Sequence, residues 1–172
     1  LFLFAQVFII THGVNTKYFS NNRHQSFKQT FYWADVNNKN IPELSTFTSI
    51  FVEHNHLWKM ISHYVVTNET FKFLMIMRPY QVYATEALID RVKTSKENGY
   101  IWHTTGSGKT LTSFKASQGI MDLPDVHKVV FVVDRKDLDY QTMKEFNSFK
   151  PKSVDGTSNT KPLVDQLKGD NK

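Results

Sequence analysis

The sequence predicts an α/β chain built on a parallel sheet, and three observations lead there. The first is Lys128–Asp134, whose Val-Val-Phe-Val-Val run has the unbroken apolar character of a strand buried on both faces. The second is the order from residue 77 onward, in which strand-like and helix-like segments alternate. That order calls for parallel strands joined by right-handed crossovers. The third is Thr104-Thr105-Gly106-Ser107-Gly108-Lys109-Thr110, a glycine-rich loop between a short strand, Tyr100–His103, and a helix.

Three segments separate along the chain. Residues 1–40 read as strands. Val7 to Thr11 is a β-branched run, His12-Gly13-Val14-Asn15 a turn, and Thr16 to Phe19 a second extended stretch. Phe31 to Ala34 reads as a third, aromatic strand, with Ser20 to Gln25 a polar loop before it. Residues 41–76 read as a helical linker. Pro42 suits a first helical turn, and Leu44, Phe47 and Phe51 follow at helical spacing. Leu57, Met60, Ile61, Tyr64 and Val65 continue an apolar stripe, while Phe71 to Met77 is short and apolar enough for a strand. Residues 77–172 carry the alternating part. Pro79 opens a helix with a stripe of Tyr80, Ala84, Ala87 and Leu88. The helix after the glycine-rich loop shows Leu111, Phe114 and Met121 on one side. A later helix shows Leu138, Thr142, Phe146 and Phe149, and the tail from Pro151 is a weak strand–helix or a fraying end.

Composition narrows the function classes. With 40% hydrophobic and 22% charged residues, the chain is of ordinary globular type. It has no cysteine, which rules out disulfides and thiolate metal sites and fits a reducing compartment. The formal charge of +5 favours anionic partners, nucleic acid among them, although the basic residues are scattered. The opening LFLFAQVFII is apolar for about ten residues, too short to span a bilayer, and no positive stretch precedes it to make a signal peptide. No membrane role is expected. The start at Leu1 reads as the middle of a larger protein, cut within a sheet.

The glycine-rich loop points to polyphosphate. Gly106 and Gly108 lack Cβ atoms, so backbone N–H groups can turn toward phosphate oxygens at the positive end of the following helix. Lys109 adds a charge for the β- and γ-phosphates, and the Thr110 hydroxyl suits Mg²⁺ on bound ATP. Thr104, Thr105 and Ser107 complete the cradle. The full P-loop pattern begins with Gly, and this chain has His103 there.

The string GYIWHTTGSGKTLTSFKAS, with His103 in the first position, resembles the motor segment of the R (restriction) subunit of type I restriction–modification enzymes. Met77-Arg78-Pro79-Tyr80-Gln81 is similar to that family's adenine-reading Q motif. Val132-Val133-Asp134-Arg135-Lys136-Asp137-Leu138 with Gln141 is similar to its motif Ia. VFIITHGVNTKYFSNN and FYWADVNNKNIPELSTFTSIF resemble the stretch joining its nuclease domain to its motor. The resemblance implies part of a RecA-like motor lobe (77–172) behind the end of a nuclease-type α/β domain (1–40). It implies a large ATP-dependent translocase and endonuclease on double-stranded DNA, working with methylase and specificity subunits. The family's nuclease residues find no match here, and no Asp-Glu dipeptide of the ATPase type occurs in the chain. No catalytic residue is therefore assigned, and the chain alone is expected to be inactive.

Several residues keep two readings. Gln81 can hydrogen-bond adenine with its amide or be a polar residue on an exposed helix face. Asp134 and Arg135 suit contacts near the DNA backbone, with Gln141, or the capping of the next helix. Arg78 can assist at the nucleotide or be solvated. His54, His56 and His63 match no zinc spacing and read as surface or core histidines. Lys17, Arg23 and Lys28 read as a solvated face. Two rivals to the motor reading remain: a small P-loop phosphotransferase using Asp134 for metal, and an inactive remnant of a truncated restriction protein.

Overall fold

The structure, a computed structural model, describes residues 4–22, 29–134, 136–154, 164–165 and 167–169. The element order is β1 (Val7–Thr11), β2 (Thr16–Ser20), β3 (Trp33–Ala34), β4 (Asn40–Ile41), α1 (Leu44–Phe51) and α2 (His54–Lys59). A short π-helical turn, Met60–Tyr64, leads to β5 (Val65–Asn68), β6 (Phe73–Ile76), α3 (Pro79–Thr94), α4 (Lys109–Met121) and α5 (Lys136–Phe149). Contacts divide the chain into two compact units, Leu1–Glu86 and Ala87–Lys172, and α3 contributes to both.

The first unit is a set of antiparallel hairpins and short helices around an aromatic core. β1 and β2 pair antiparallel with Val7 opposite Ser20, and Gly13 takes φ +91° in the turn, a conformation that costs other residues. Tyr18 reaches across to pair with Phe31, which brings the third strand of the sequence reading alongside β2. Trp33, Tyr18, Phe47, Phe51, Met60 and Met77 are all buried. The Tyr18 ring lies 4.6 Å from Phe51 and 5.9 Å from Trp33, and its hydroxyl donates to the Met77 carbonyl at 2.9 Å. Burial raises the Tyr18 phenol well above its ordinary value. Tyr83 donates to the Ala34 carbonyl at 2.9 Å, and Glu86 accepts from the Tyr64 hydroxyl and pairs with Lys59. These bonds fix the first turns of α3 to the hairpins.

Two sequence expectations change in this unit. The helical stripe ends at Tyr64, and Val65 begins β5, which pairs antiparallel with β6 over Val65–Asn68 and Phe73–Ile76. Val65, Val66 and Thr67 are β-branched and lose rotamer freedom in a helix, which favours the strand. In α3 the buried face is Gln81, Val82 and Thr85, while Ala87 of the expected stripe is exposed. Alanines bury little area, so the packing partners chose the face.

The second unit takes the end of α3 and packs α4 on α5 through Phe114, Phe146 and Phe149, with ring centroids 5.4 and 5.1 Å from Phe114. Phe131 closes on Phe146 at 5.4 Å. Neither Tyr100–His103 nor Lys128–Asp134 forms a strand, and all three sheets among the described residues are antiparallel pairs. Val132 is 85% and Trp102 88% exposed. A buried-type strand needs ladder partners on both sides, and no described residue supplies them, so composition alone did not make these segments strands. The expected loop Ser20–Gln25 falls partly, and Arg23, Lys28 and most of the tail after residue 154 fall wholly, outside the described residues.

Candidate functional site

The loop at residues 103–110 is built by its glycines. Gly106 has φ +74° and Gly108 φ +80°, both in the left-handed region where a side chain is disfavoured. Nothing lies within 4 Å of where a Cβ on Gly106 would sit, so its place is left open on the outside. Gly108 is the N-cap of α4, and its carbonyl accepts the first helical bond from Thr112 at 3.1 Å. No acidic residue occupies the first turn of α4, so no carboxylate there offsets the positive end of the helix.

Three donors converge on one carbonyl. Thr104 O accepts from Ser107 N at 3.3 Å, Ser107 Oγ at 2.7 Å and Lys109 Nζ at 3.1 Å. Lys109 thus folds back on the loop, held by a neutral acceptor. A phosphate would set a full negative charge opposite the ammonium, which a neutral carbonyl cannot, and so would compete for it. Thr104, Thr105, Gly106, Gly108 and Lys109 are exposed, and Ser107 and Thr110 partly so. Burial, then the Lys109 ammonium, holds the His103 imidazole below its ordinary value. Both causes favour the neutral imidazole beside Lys109. The donor set, the open glycine and the positive helix end fit a triphosphate with its metal.

The other candidates lie apart in sequence and differ in setting. Gln81 belongs to the first unit and is buried, only 4% exposed, not on a solvent-facing surface. Its Oε1 accepts from the Arg78 N–H at 2.9 Å, and its own N–H bonds the Arg78 carbonyl at 3.0 Å. This is the return half of a capping box, with a glutamine at N3 reaching back to the N-cap. Arg78 is engaged as well: its guanidinium sits 4.8 Å over the Phe31 ring and donates to the Tyr80 hydroxyl at 3.1 Å. Asp134 is exposed at a bend just before α5, and Gln141 is exposed on α5. Arg135 lies outside the described residues.

The histidines divide between core and surface. His56 packs edge-on to Trp33 at 4.7 Å and near Phe51 at 5.5 Å, and burial lowers its imidazole below the ordinary value. His63 stacks edge-on to Trp58. Among the described residues no cluster of three potential metal ligands occurs, and no helix is long and apolar enough to cross a membrane.

One feature escaped the sequence reading. A cleft of about 240 Å³ opens in the first unit between the hairpin residues and the start of α3. Phe31, Tyr32, Asn38, Asn40, Arg78 and Tyr80 line it, and no acidic side chain does among the described residues. The density of aromatic and amide residues in FYWADVNNKN is the signal that was there to be read.

Comparison with known proteins places these features. The SWI2/SNF2 ATPase family model matches residues 80–172. A type I restriction enzyme endonuclease subunit of Staphylococcus saprophyticus is 56% identical over 98% of this chain, and one of Staphylococcus aureus 55% identical over 97%. The chain spans 18% of the length of each of these two relatives. A Mycoplasma pneumoniae protein described as the C-terminal part of a putative type I restriction enzyme endonuclease subunit is 41% identical, over 80% of this chain and 71% of its own length.

Proposed function

We propose, from the fact that this chain belongs to the type I restriction enzyme endonuclease subunits, that its residues 103–110 bind the polyphosphate of ATP. The observation that carries this is the pair of left-handed glycines opening α4 with Lys109 beside them. The N–H groups of Thr105 to Thr110 and the Lys109 ammonium would hold the phosphates, and the Thr110 hydroxyl would hold Mg²⁺. Bound Mg²⁺ would neutralise charge developing on the phosphates. Gln81 supports adenine reading from the helix end that it caps.

The wider reading follows the family. Residues 77–172 are the first part of a RecA-like motor lobe, whose parallel sheet takes up Tyr100–His103 and Lys128–Asp134. Residues 1–40 close a nuclease-type domain, and residues 41–76 link the two. The motor moves on double-stranded DNA, with Asp134, Arg135 and Gln141 near the backbone, and works with methylase and specificity subunits in the cytoplasm.

Three experiments test this. Titration of the chain with ATP and with inorganic tripolyphosphate should show binding that Lys109→Ala weakens about 10- to 100-fold, as loss of a charge-assisted bond implies. Equal affinity in the variant removes the loop from the assignment. With Mg²⁺ and plasmid added, the chain should neither release phosphate at a useful rate nor nick DNA, because it lacks an Asp-Glu pair and has Asp35 as the single acid in residues 1–40. Robust, Lys109-dependent turnover would favour the phosphotransferase alternative. For DNA, duplex binding by a full-length member of this family should fall steeply with salt, and Arg135→Ala should reduce the slope by about one. An unchanged slope leaves Arg135 without a phosphate contact.

A further inference from the structure

Asn98-Gly99 is the one place in the sequence where asparagine precedes glycine, and it falls just past the end of α3. The chain is tied down only briefly there. Ser95 N donates to the Arg91 carbonyl at 2.9 Å, Glu97 N donates to the Ser95 hydroxyl at 3.0 Å, and Arg91 Nη1 lies 3.4 Å from Glu97 Oε2. Between Glu97 and α4 no helix or strand forms, and residues 98–102 are all exposed. Among the described residues nothing hydrogen-bonds the Asn98 amide or the Gly99 N–H. Asn147 is the contrast. It also precedes a small residue, Ser148, but it lies inside α5, whose N–H groups bond within the helix, and its Oδ1 accepts from Ser153 N at 3.1 Å.

We infer that Asn98 is a site of spontaneous deamidation, which converts it to aspartate and isoaspartate as the protein ages. The Gly99 nitrogen attacks the Asn98 side-chain carbonyl carbon and closes a cyclic imide. Its proton passes through solvent to the departing amide nitrogen, which leaves as ammonia. Water then adds to one or the other imide carbonyl and opens the ring, so that no oxidant or reductant is needed. Closure requires the nitrogen and the carbon to come within about 3–3.5 Å of each other. Glycine permits that approach, because no Cβ crowds the nitrogen and the backbone turns freely. A nitrogen locked in a helix, or a side chain held by another bond, cannot make it. The product carries one more negative charge in the segment that runs from α3 to the loop at residues 103–110. Isoaspartate also routes the main chain through the former side chain.

The test is incubation of the chain in warm, mildly alkaline buffer, followed by tryptic peptide mapping. Asn98 is the sole asparagine in the peptide Glu97–Lys109. That peptide should gain the mass of an amide-to-acid exchange and split into aspartate and isoaspartate forms, the latter methylated by a protein L-isoaspartate methyltransferase. Direct hydrolysis of the side chain would give aspartate alone. The Asn147 peptide should stay unchanged over the same period and convert only in urea, whereas urea should leave the Asn98 rate nearly as it is. Gly99→Ala should slow conversion about tenfold, because a Cβ crowds the attacking nitrogen and stiffens the backbone. Gly99 is not one of the left-handed glycines, and a Cβ there would meet Arg91 Nε at an ordinary 3.8 Å, so this variant should melt as the parent chain does. An unmodified Glu97–Lys109 peptide, aspartate without isoaspartate, a Gly99→Ala rate equal to that of the parent chain, or a large acceleration at Asn98 in urea each overturns the inference.

Discussion

The two units of this chain solve the problem of burial differently. Leu1–Glu86 closes its own core: Trp33, Tyr18, Phe47 and Phe51 are each at most 1% exposed, and hairpin turns within the unit satisfy the strands. Ala87–Lys172 buries Phe114 and Phe146 between two helices but leaves Tyr100, Trp102 and Val132 more than 80% exposed. An antiparallel hairpin finds its partner a few residues away. A parallel strand needs a partner delivered by a crossover, which is a larger piece of fold. The glycine-rich loop at residues 103–110, by contrast, is already shaped, because its geometry depends on two glycine dihedrals and one helix start.

That contrast can be broken first with tryptophans. Trp33→Ala should destabilise the first unit by about 3–5 kcal/mol, the cost of emptying a fully packed aromatic site, whereas Trp102→Ala should lie within about 0.5 kcal/mol. Urea unfolding of both variants checks it. Comparable losses would mean that the region around Trp102 is packed after all.

A smaller effect is expected at Gln81. Gln81→Ala should cost about 1–2 kcal/mol through loss of the bond to the Arg78 N–H, and weaken the preference for ATP over GTP. Gln81→Glu retains the acceptor and should recover the stability and the preference. If Glu restores the melting temperature but not the preference, Gln81 touches the base itself.

The smallest effect is pH dependence in the first unit. His56 is held below its ordinary value by burial, with Glu86 and Glu53 opposing and Lys59 assisting that shift. The unfolded chain binds this proton more readily, so stability is full above about pH 6.5 and declines as pH falls through the ordinary histidine range. His56→Phe should flatten the curve in that window. A slope that persists in this variant would show that His56 is not its source.

Legibility followed the range of the interactions. The β1–β2 hairpin, the starts of α3 and α4, and the glycine-rich loop before α4 rest on contacts within a few residues, and Gly13, Pro79 and Gly108 announce them. The Val65 transition was missed because Tyr64 and Val65 continue a helical period while the next residues favour a strand. The buried face of α3 was missed because Gln81 and Thr85 look like solvent residues until the hairpins cover them.

By itself the sequence determined the shape of the loop at residues 103–110, because left-handed backbone needs glycine and Gly106 and Gly108 supply it. It also determined the family, through strings of residues such as WHTTGSGKT and RPYQ. Only the tertiary structure decided what Gln81 does: burial leaves its amide oxygen to cap a backbone N–H three residues earlier. Only it joined Phe31, Tyr32, Asn38 and Asn40 to Arg78 and Tyr80 in one cleft. Residues some forty positions apart meet because Tyr18 and Tyr83 bond to main-chain carbonyls at Met77 and Ala34, and no local pattern encodes those long-range bonds.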